Sequence, residues 1–153
     1  LNKEMLNQGR KRFKYQKNIS FVIGNAEKLN FENNFFDKYL ISFCLRNVTE
    51  YKLSIKEAYR VLKPGGKYCC LEFSNPKSPL ISKSYKMYKS KFLPLLGDII
   101  AKNKNAYKYL SESIDLFPTQ EDLTEILISY GFEKVNSINL FNGIVAIHTG
   151  YKT

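Results

Sequence analysis

Apolar and polar residues follow two different periods along the chain, which predicts strands and helices that alternate. Residues 36–42 form an aromatic and aliphatic run that ends in a small hydroxyl residue, as is typical of a strand buried in a parallel sheet. Residues 54–62 place apolar side chains three and four positions apart, which predicts an amphipathic helix. Proline and glycine do not continue a helix, so it is expected to end at Pro64-Gly65-Gly66, before a strand over residues 67–73.

The same reasoning predicts elements on both sides of this unit. An apolar stripe among cations predicts a surface helix over residues 1–17, and the aromatic and β-branched residues of 18–24 predict a strand. The predicted downstream elements are a helix over residues 105–115, a helix that starts after Thr119 and ends at Gly131, and strands over residues 132–140 and 143–150 joined by an Asn142-Gly143 turn.

The order of strand, helix and strand predicts an α/β sheet, whose ligands bind beyond the carboxyl ends of its strands. Arg46 and Asn47 lie on the loop after the strand over residues 36–42, at that edge of the sheet. A surface salt bridge is the usual role of a single arginine in a loop. The position at the strand end makes Arg46 a candidate site residue instead.

Several strings in the sequence are more specific than this general pattern. The turn Leu62-Lys63-Pro64-Gly65-Gly66 before a strand resembles that of class I S-adenosylmethionine-dependent methyltransferases. The longer strings are ISFCLRNVT at 41–49, LEFSNP at 71–76, YKYLSESI at 107–114 and NGIVAIHTGYK at 142–152. Together they resemble the ubiquinone/menaquinone-biosynthesis C-methyltransferases, and the likeness runs over essentially the whole chain.

The resemblance implies that residues 1–153 are the C-terminal portion of a single methyltransferase domain, with a Rossmann-like class I sheet of the α/β class. It also implies a C-terminal antiparallel strand pair and a helical cap inserted at residues 76–116. The N-terminal strands of that fold are expected to be missing, because the family's second strand precedes the helix predicted over residues 1–17. The family's Gly-rich loop and ribose-binding acid would lie before Leu1.

S-adenosylmethionine is the methyl donor that the resemblance implies. In class I methyltransferases the residues after the strand predicted over 18–24 meet the adenine, so Asn25 and Ala26 are expected to bind the cofactor. Ser42, at the end of the next strand, is expected to face it as well. Without the resemblance, the alternative for Asn25 is an Asx-type loop with no ligand.

The family's reaction also implies roles for the strand-end residues. A reduced quinone offers an electron-rich ring carbon once its hydroxyl begins to lose a proton. Arg46 stays protonated and is expected to stabilise the developing oxyanion, while Asn47 orients the ring oxygen or a water. The proton is expected to leave through water, helped by Glu112 or Glu72. The expected substrate contacts are Phe43, Tyr109, Glu112 and Ser113.

The implied substrate is a polyprenyl benzoquinol, or demethylmenaquinol, whose tail stays near a bilayer. The net charge of +10 and the lysine-rich, aromatic stretch over residues 77–108 predict peripheral contact with an anionic membrane. Ordinary solvated lysines are the alternative. The resemblance implies the matrix side of the mitochondrial inner membrane in a eukaryote, or the membrane-associated cytoplasm of a bacterium. A homodimer or a quinone-synthesis complex would fit either place.

Two other functions stay open. The positive charge also favours an RNA or DNA methyltransferase. Enzymes that methylate base amino groups commonly carry an acid or Asn, two prolines and an aromatic residue after strand four. This chain has Ser42-Phe43-Cys44-Leu45 there, so no nucleic-acid partner is expected. The third hypothesis is a truncated, non-catalytic partner in a quinone-synthesis complex.

The metal-ligating residue types are sparse. Cys44, Cys69 and Cys70 do not have the spacing of a metal site, and adjacent strand residues point to opposite faces, so no disulfide is expected. His148 is the single histidine, and its surroundings predict a strand position. No metal site is therefore predicted.

Overall fold

The computed structural model describes residues 3–76, 85, 87 and 104–153 of the chain. In chain order its elements are α1 (Lys3–Arg12), β1 (Phe36–Ser42), α2 (Tyr51–Val61), β2 (Leu62–Phe73), α3 (Lys104–Leu116), α4 (Gln120–Ser129), β3 (Phe132–Leu140) and β4 (Val145–Lys152). Short 3-10 helices lie at Leu45–Asn47 and Phe141–Gly143. The described helices include none that is both long and apolar enough to span a bilayer.

The four strands form one mixed sheet in the order β1-β2-β4-β3. β1 and β2 are parallel and are connected through α2, while β4 runs antiparallel to both β2 and β3. A parallel pair needs a crossover connection, and α2 provides it. This arrangement confirms the predicted α/β sheet with an antiparallel pair at its C-terminal side.

The core lies between one face of the sheet and helices α2 and α4. Side chains alternate between faces along a strand, so Tyr68 and Cys70 point together into this core. The buried residues around them are Leu45, Ile55, Ala58, Leu62, Leu123, Leu127 and Phe132. On the opposite face Leu40 and Ile138 are 74% and 48% exposed. The packed face therefore fixes α2, and with it the carboxyl end of β1.

The Pro64-Gly65-Gly66 segment ends the helix as predicted, but it forms a bulge inside β2 instead of a separate turn before it. Phe36 pairs with Leu62 and Lys38 pairs with Lys67, so β2 carries extra residues between these two pairs. Gly65 has a φ of +78°, and a Cβ on Gly66 would lie 2.7 Å from the Lys63 carbonyl oxygen. Gly65 is favoured because of its positive φ, although a side chain there would have room, whereas Gly66 is needed because a Cβ would clash with backbone.

The prediction of a strand over residues 18–24 is wrong. This segment has no regular secondary structure, and the nearest pairing is an isolated bridge between Asn25 and Lys28. A strand needs a neighbour for its backbone N–H and C=O groups, and none of the described strands lies beside this segment. Val22 and Ile23 are correspondingly 60% and 46% exposed.

The surface helix predicted over residues 1–17 is shorter than expected and ends at Arg12. The predictions for the two ends of α4 and for the turn between β3 and β4 are confirmed. Thr119 caps α4 through a capping box with Asp122, and the chain leaves α4 at Gly131 with a φ of +95°. Asn142 and Gly143 both have positive φ in the turn between β3 and β4. Of the cap predicted over residues 76–116, α3 is described, whereas residues 77–84, 86 and 88–103 lie outside the described part.

Candidate active site

The loop after β1 turns sharply because Phe43 adopts a left-handed backbone with a φ of +51°. This conformation is uncommon for a bulky residue and costs on the order of 1 kcal/mol or more. Two contacts hold Phe43 in place: its N–H donates to the Leu71 carbonyl at 2.9 Å, and its ring packs against Phe73 with centroids 4.7 Å apart. Leu45, 1% exposed, anchors the 3-10 helix that follows. The next two residues, Arg46 and Asn47, are thereby fixed at the sheet edge.

Arg46 forms a buried ion pair with Glu72 of β2. One terminal nitrogen of Arg46 donates to both Glu72 carboxylate oxygens at 2.9 Å and to the Phe43 carbonyl at 2.9 Å. The two side chains are 9% and 2% exposed. The guanidinium also lies over the Phe73 ring, 5.2 Å from its centroid, where a cation–π contact is favourable.

The charge of Arg46 is therefore compensated inside the protein. Burial raises the pKa of Glu72, and the neighbouring Arg46 opposes that rise. The Nε of Arg46 is buried and has no hydrogen-bond partner among the described residues. The guanidinium therefore has an N–H donor without a partner in the described part of the chain, although its positive charge is already paired with Glu72.

A cavity of about 270 Å³ lies beside this pair, between the loop after β1 and α3. Its polar lining comes from Arg46, Thr49, Tyr109, Glu112 and Ser113. The apolar lining residues are Val48, Tyr51, Leu116 and Phe117. A few polar groups among apolar walls are typical of a small-molecule site.

Asn47 connects the loop after β1 to α3. Its side-chain amide donates to the Phe43 carbonyl at 3.4 Å, and its carbonyl accepts the Tyr109 hydroxyl proton at 3.1 Å. Asn47 itself lines a second cavity, on the other side of the loop. Val48 and Thr49 line both cavities, so this loop is the wall that separates them.

The second cavity measures about 760 Å³ and lies between α1, residues 21–27 and the loop after β1. Asn25 and Ala26 line it, as does Gly24, where an added Cβ would meet no atom within 4 Å. The Asn25 side-chain oxygen accepts the Glu27 N–H at 3.0 Å, which is an Asx turn. A carbonyl oxygen has two lone pairs, so it can accept a ligand donor as well.

The loop that carries Asn25 and Ala26 is fastened to α2 through Arg60. The Arg60 guanidinium donates to both Glu57 oxygens at 2.8 Å and also to the carbonyls of Phe31 and Leu29. The Arg60 hydrogen bonds lower the pKa of Glu57. Glu57 in turn accepts the Leu29 N–H at 2.8 Å. These bonds hold one wall of the larger cavity against α2.

The structure thus brings most of the predicted site residues to two neighbouring cavities. Asn25, Ala26 and Asn47 line the larger one. Arg46, Tyr109, Glu112 and Ser113 line the smaller one.

Ser42 and Phe43 line neither cavity: Ser42 is exposed at the end of β1, and Phe43 shapes the loop. His148 is buried in β4, where Nε2 lies 3.2 Å from the Gln120 carbonyl oxygen, and it too lines neither cavity.

The residue whose position the sequence did not predict is Glu72. The sequence predicts that Glu72 or Glu112 helps the substrate to lose its proton, yet Glu72 is buried behind Arg46 and lines neither cavity. An alternation of buried residues along β2 could have shown that Glu72 points inward with Tyr68 and Cys70. A buried carboxylate requires a partner, and Arg46 is the cation at the adjacent strand end.

Comparison with known proteins gives consistent matches over the whole chain. The model of the ubiE/COQ5 methyltransferase family matches residues 1–152. The chain is 48% identical over 155 aligned residues to a protein of Gallus gallus named 2-methoxy-6-polyprenyl-1,4-benzoquinol methylase, mitochondrial, covering 99% of this chain and 50% of that protein. It is 49% identical to the ubiquinone/menaquinone biosynthesis C-methyltransferase UbiE of Rickettsia prowazekii, covering 99% of this chain and 62% of that protein. The chain therefore spans about half to three fifths of the length of these relatives.

Several solved structures with a similar fold are methyltransferases of low sequence identity. One is a methyltransferase of Thermotoga maritima described as S-adenosylmethionine-dependent and a possible histamine N-methyltransferase, with a TM-score of 0.65 and 22% identity over 99% of this chain and 70% of that chain. The C-methyltransferase domain of the citrinin polyketide synthase gives a TM-score of 0.69 at 17% identity, covering all of this chain and 38% of that one. These likenesses confirm the class I methyltransferase fold.

Proposed function

The chain belongs to the ubiE/COQ5 methyltransferase family, and on that premise we propose that its protein methylates a ring carbon of a polyprenyl benzoquinol or of demethylmenaquinol, with S-adenosylmethionine as the methyl donor. The observation that carries the proposal is the pair of cavities on either side of one loop, with Asn25 and Ala26 on one side and Arg46 on the other. The names of the relatives from Gallus gallus and Rickettsia prowazekii support the substrate class.

The larger cavity fits the cofactor in size and in lining. Its volume of about 760 Å³ lies within the usual range for ligand sites of this kind. The Asn25 oxygen would accept from the adenine amino group, Ala26 and Gly24 would allow a flat ring to approach closely, and Ser42 is proposed to approach it from the strand end. When bound, S-adenosylmethionine supplies an electrophilic methyl group on a sulfonium centre.

The smaller cavity is the proposed site of the aromatic ring. Arg46 has a buried Nε without a partner among the described residues, and a hydrogen bond between Tyr109 and Asn47 joins α3 to the loop. Arg46 and Tyr109, which line this cavity, would hold the ring oxygen and so place one ring carbon toward the loop that separates the cavities, while Asn47 would orient the Tyr109 hydroxyl through their hydrogen bond. Phe43 stabilises the loop by packing against Phe73, and Glu112 and Ser113 line the side of the cavity that α3 forms.

Arg46 has the proposed role of stabilising the negative charge that the ring oxygen gains as its hydroxyl loses a proton. The ring carbon would then take the methyl group as the bond between that methyl group and the sulfonium sulfur breaks, and it would lose its own proton afterwards. Because Glu72 already pairs with this guanidinium, the stabilisation would come from a directed hydrogen bond more than from an uncompensated charge. Glu72 faces away from both cavities, which favours Glu112, or a water beside it, as the group that takes up the proton. Glu112 lies on α3 with Lys108 at 3.6 Å.

We also propose peripheral contact with a membrane, through the lysine-rich residues 77–108. A polyprenyl tail is insoluble in water, so an enzyme for such a quinol must reach the bilayer surface. The net charge of +10 supports an anionic surface. In a eukaryote this would be the matrix side of the mitochondrial inner membrane, and in a bacterium the cytoplasmic side of its membrane. A homodimer or a quinone-synthesis complex remains part of this proposal.

The decisive experiment supplies labelled S-adenosylmethionine and a short-tailed benzoquinol to the protein as its gene encodes it, and identifies the product by mass spectrometry. Ring-methylated quinol is expected. Arg46→Gln should lower kcat by about two powers of ten, the scale for one lost oxyanion donor, and Arg46→Lys should recover part of it. Lys52→Gln, which removes an exposed cation from α2, is the matched control.

Two results would contradict the proposal. Methyl transfer to RNA without transfer to the quinol would favour the nucleic-acid alternative. Tight association with quinone-synthesis proteins without cofactor binding would favour a non-catalytic partner.

A further inference from the structure

Glu72 uses nearly all of its hydrogen-bonding capacity inside the protein. Both carboxylate oxygens accept from one terminal nitrogen of Arg46 at 2.9 Å, and one of them also accepts the Phe73 N–H at 3.1 Å. The side chain is 2% exposed. Glu72 therefore cannot touch a ligand in the smaller cavity, and any effect on a ligand must pass through Arg46.

The geometry points to Glu72 as a positioning residue that makes the smaller cavity accept an uncharged phenol and reject an aromatic carboxylate. This inference rests on the proposed function for the choice of an aromatic ring as ligand. It goes beyond that function because it assigns the preference for ligand charge to one residue.

A single arginine at the wall of a small cavity is by itself a good carboxylate receptor. Its planar fork offers two parallel N–H donors, and its positive charge attracts an anion. Glu72 reduces the second advantage here, because it pairs with one terminal nitrogen of Arg46 and compensates the positive charge. The expected preference for an uncharged ligand therefore depends on this charge compensation and not on the number of N–H donors that Arg46 has left.

The size of this effect follows from simple electrostatics. A unit charge about 6 Å from a bound anion, at an effective dielectric constant of about 20, changes affinity by about two powers of ten. The cavity is open to water on one side, and salt screens exposed charges further, so about tenfold is the expected minimum. A neutral phenol should respond by less than about threefold.

The experiment is calorimetric titration of benzoate and of phenol into the protein as its gene encodes it. The test variant is Glu72→Gln, which keeps the shape of the side chain and removes its charge. The matched control is Glu125→Gln, the same change at an exposed carboxylate on α4. A third variant, Arg46→Met/Glu72→Gln, removes the cation that the inference makes responsible.

The wild-type protein should bind phenol more tightly than benzoate. Glu72→Gln should tighten benzoate binding about tenfold or more, Glu125→Gln should leave it unchanged, and the double variant should lose the gain. A folded Glu72→Gln protein with unchanged benzoate affinity would overturn the inference. A role of Glu72 in folding alone predicts weaker binding of both probes and no gain.

A further variant and a comparison within the wild-type protein keep the test decisive. Glu72→Asp retains the charge but shortens the side chain, so it should not gain benzoate affinity, and a gain there would contradict the inference. If the Gln variant does not fold, as judged by circular dichroism, the wild-type comparison decides, and tighter binding of benzoate than of phenol overturns the inference. These titrations need no turnover, so absent methyl transfer would count against the proposed function alone.

Discussion

Replacement of Arg46 by methionine should destabilise the folded protein strongly, in addition to any effect on turnover. Arg46 and Glu72 are 9% and 2% exposed, and the variant would leave the Glu72 carboxylate buried without its partner. Removing one member of a buried pair costs about 3–5 kcal/mol, because the remaining charge keeps its desolvation penalty. Most natural domains have a total free energy of unfolding of about 5–15 kcal/mol. The variant would therefore lose a large share of the available stability.

Equilibrium unfolding in urea measures this loss. Lys63→Met is the matched control, since it breaks the Lys63–Asp37 pair, which has a similar distance of 2.8 Å but side chains that are 44% and 81% exposed. Exposed pairs contribute about 0–1 kcal/mol, so the control should change little. The double variant Arg46→Met/Glu72→Met should recover most of the loss, because no charge stays buried.

The pH dependence gives a second check with a definite sign. Burial already raises the pKa of Glu72, and loss of Arg46 removes the cation that opposes this rise. The folded variant would then bind a proton more readily than the unfolded chain, so its stability deficit should shrink as the pH falls. A loss below about 1 kcal/mol at neutral pH, or a deficit that does not change with pH, would refute the reasoning about a buried charge pair.

Three further predictions concern other parts of the fold. Burial lowers the pKa of His148, so on acidification the unfolded chain takes up a proton that the folded state does not bind. The free energy of unfolding should therefore fall as the pH drops below about 6.5. The variant His148→Gln should show a flatter pH dependence. An equal pH slope in both proteins would contradict this. Thr119→Ala removes the cap of α4 and should cost about 1 kcal/mol in a urea titration, whereas an unchanged midpoint would show that the cap contributes nothing. Iodoacetamide should label exposed Cys44 fastest and Cys70 slowest, because burial raises the pKa of the Cys70 thiol to about 12; equal rates by mass spectrometry would argue against that burial.

The sequence could predict those elements whose stability depends on local signals. The capping box at Thr119, the positive φ at Gly131 and the turn at Asn142 are each specified by side chains within a few positions. The apolar period of α2 likewise determines which side faces the core. Segment 18–24 has the composition of a strand, yet it forms none, because strand formation depends on a neighbour that local composition does not specify.

The site was predictable in location but not in electrostatics. The string around Arg46, and the place of Asn25 after a predicted strand, indicated two residues that the structure places on cavity walls, although residues 18–24 form no strand. The pairing of Arg46 with Glu72 joins residues 26 positions apart, so it depends on the parallel register of β1 and β2. That register also decides that Glu72 lies behind the guanidinium and not in the cavity.

The hydrogen bonds of Arg60 have a consequence for how a ligand would reach the larger cavity. Arg60 and Glu57 fasten the loop at residues 29–33 to α2, and Glu27 accepts the Glu50 N–H at 2.9 Å at the start of the same helix. Two walls of the cavity are thus joined to one rigid support and should move together. We expect exchange of a bound molecule to proceed past the third wall, α1. Substitutions at α1 residues that do not line the cavity should therefore alter association and dissociation rates in equal proportion and leave the equilibrium affinity nearly constant.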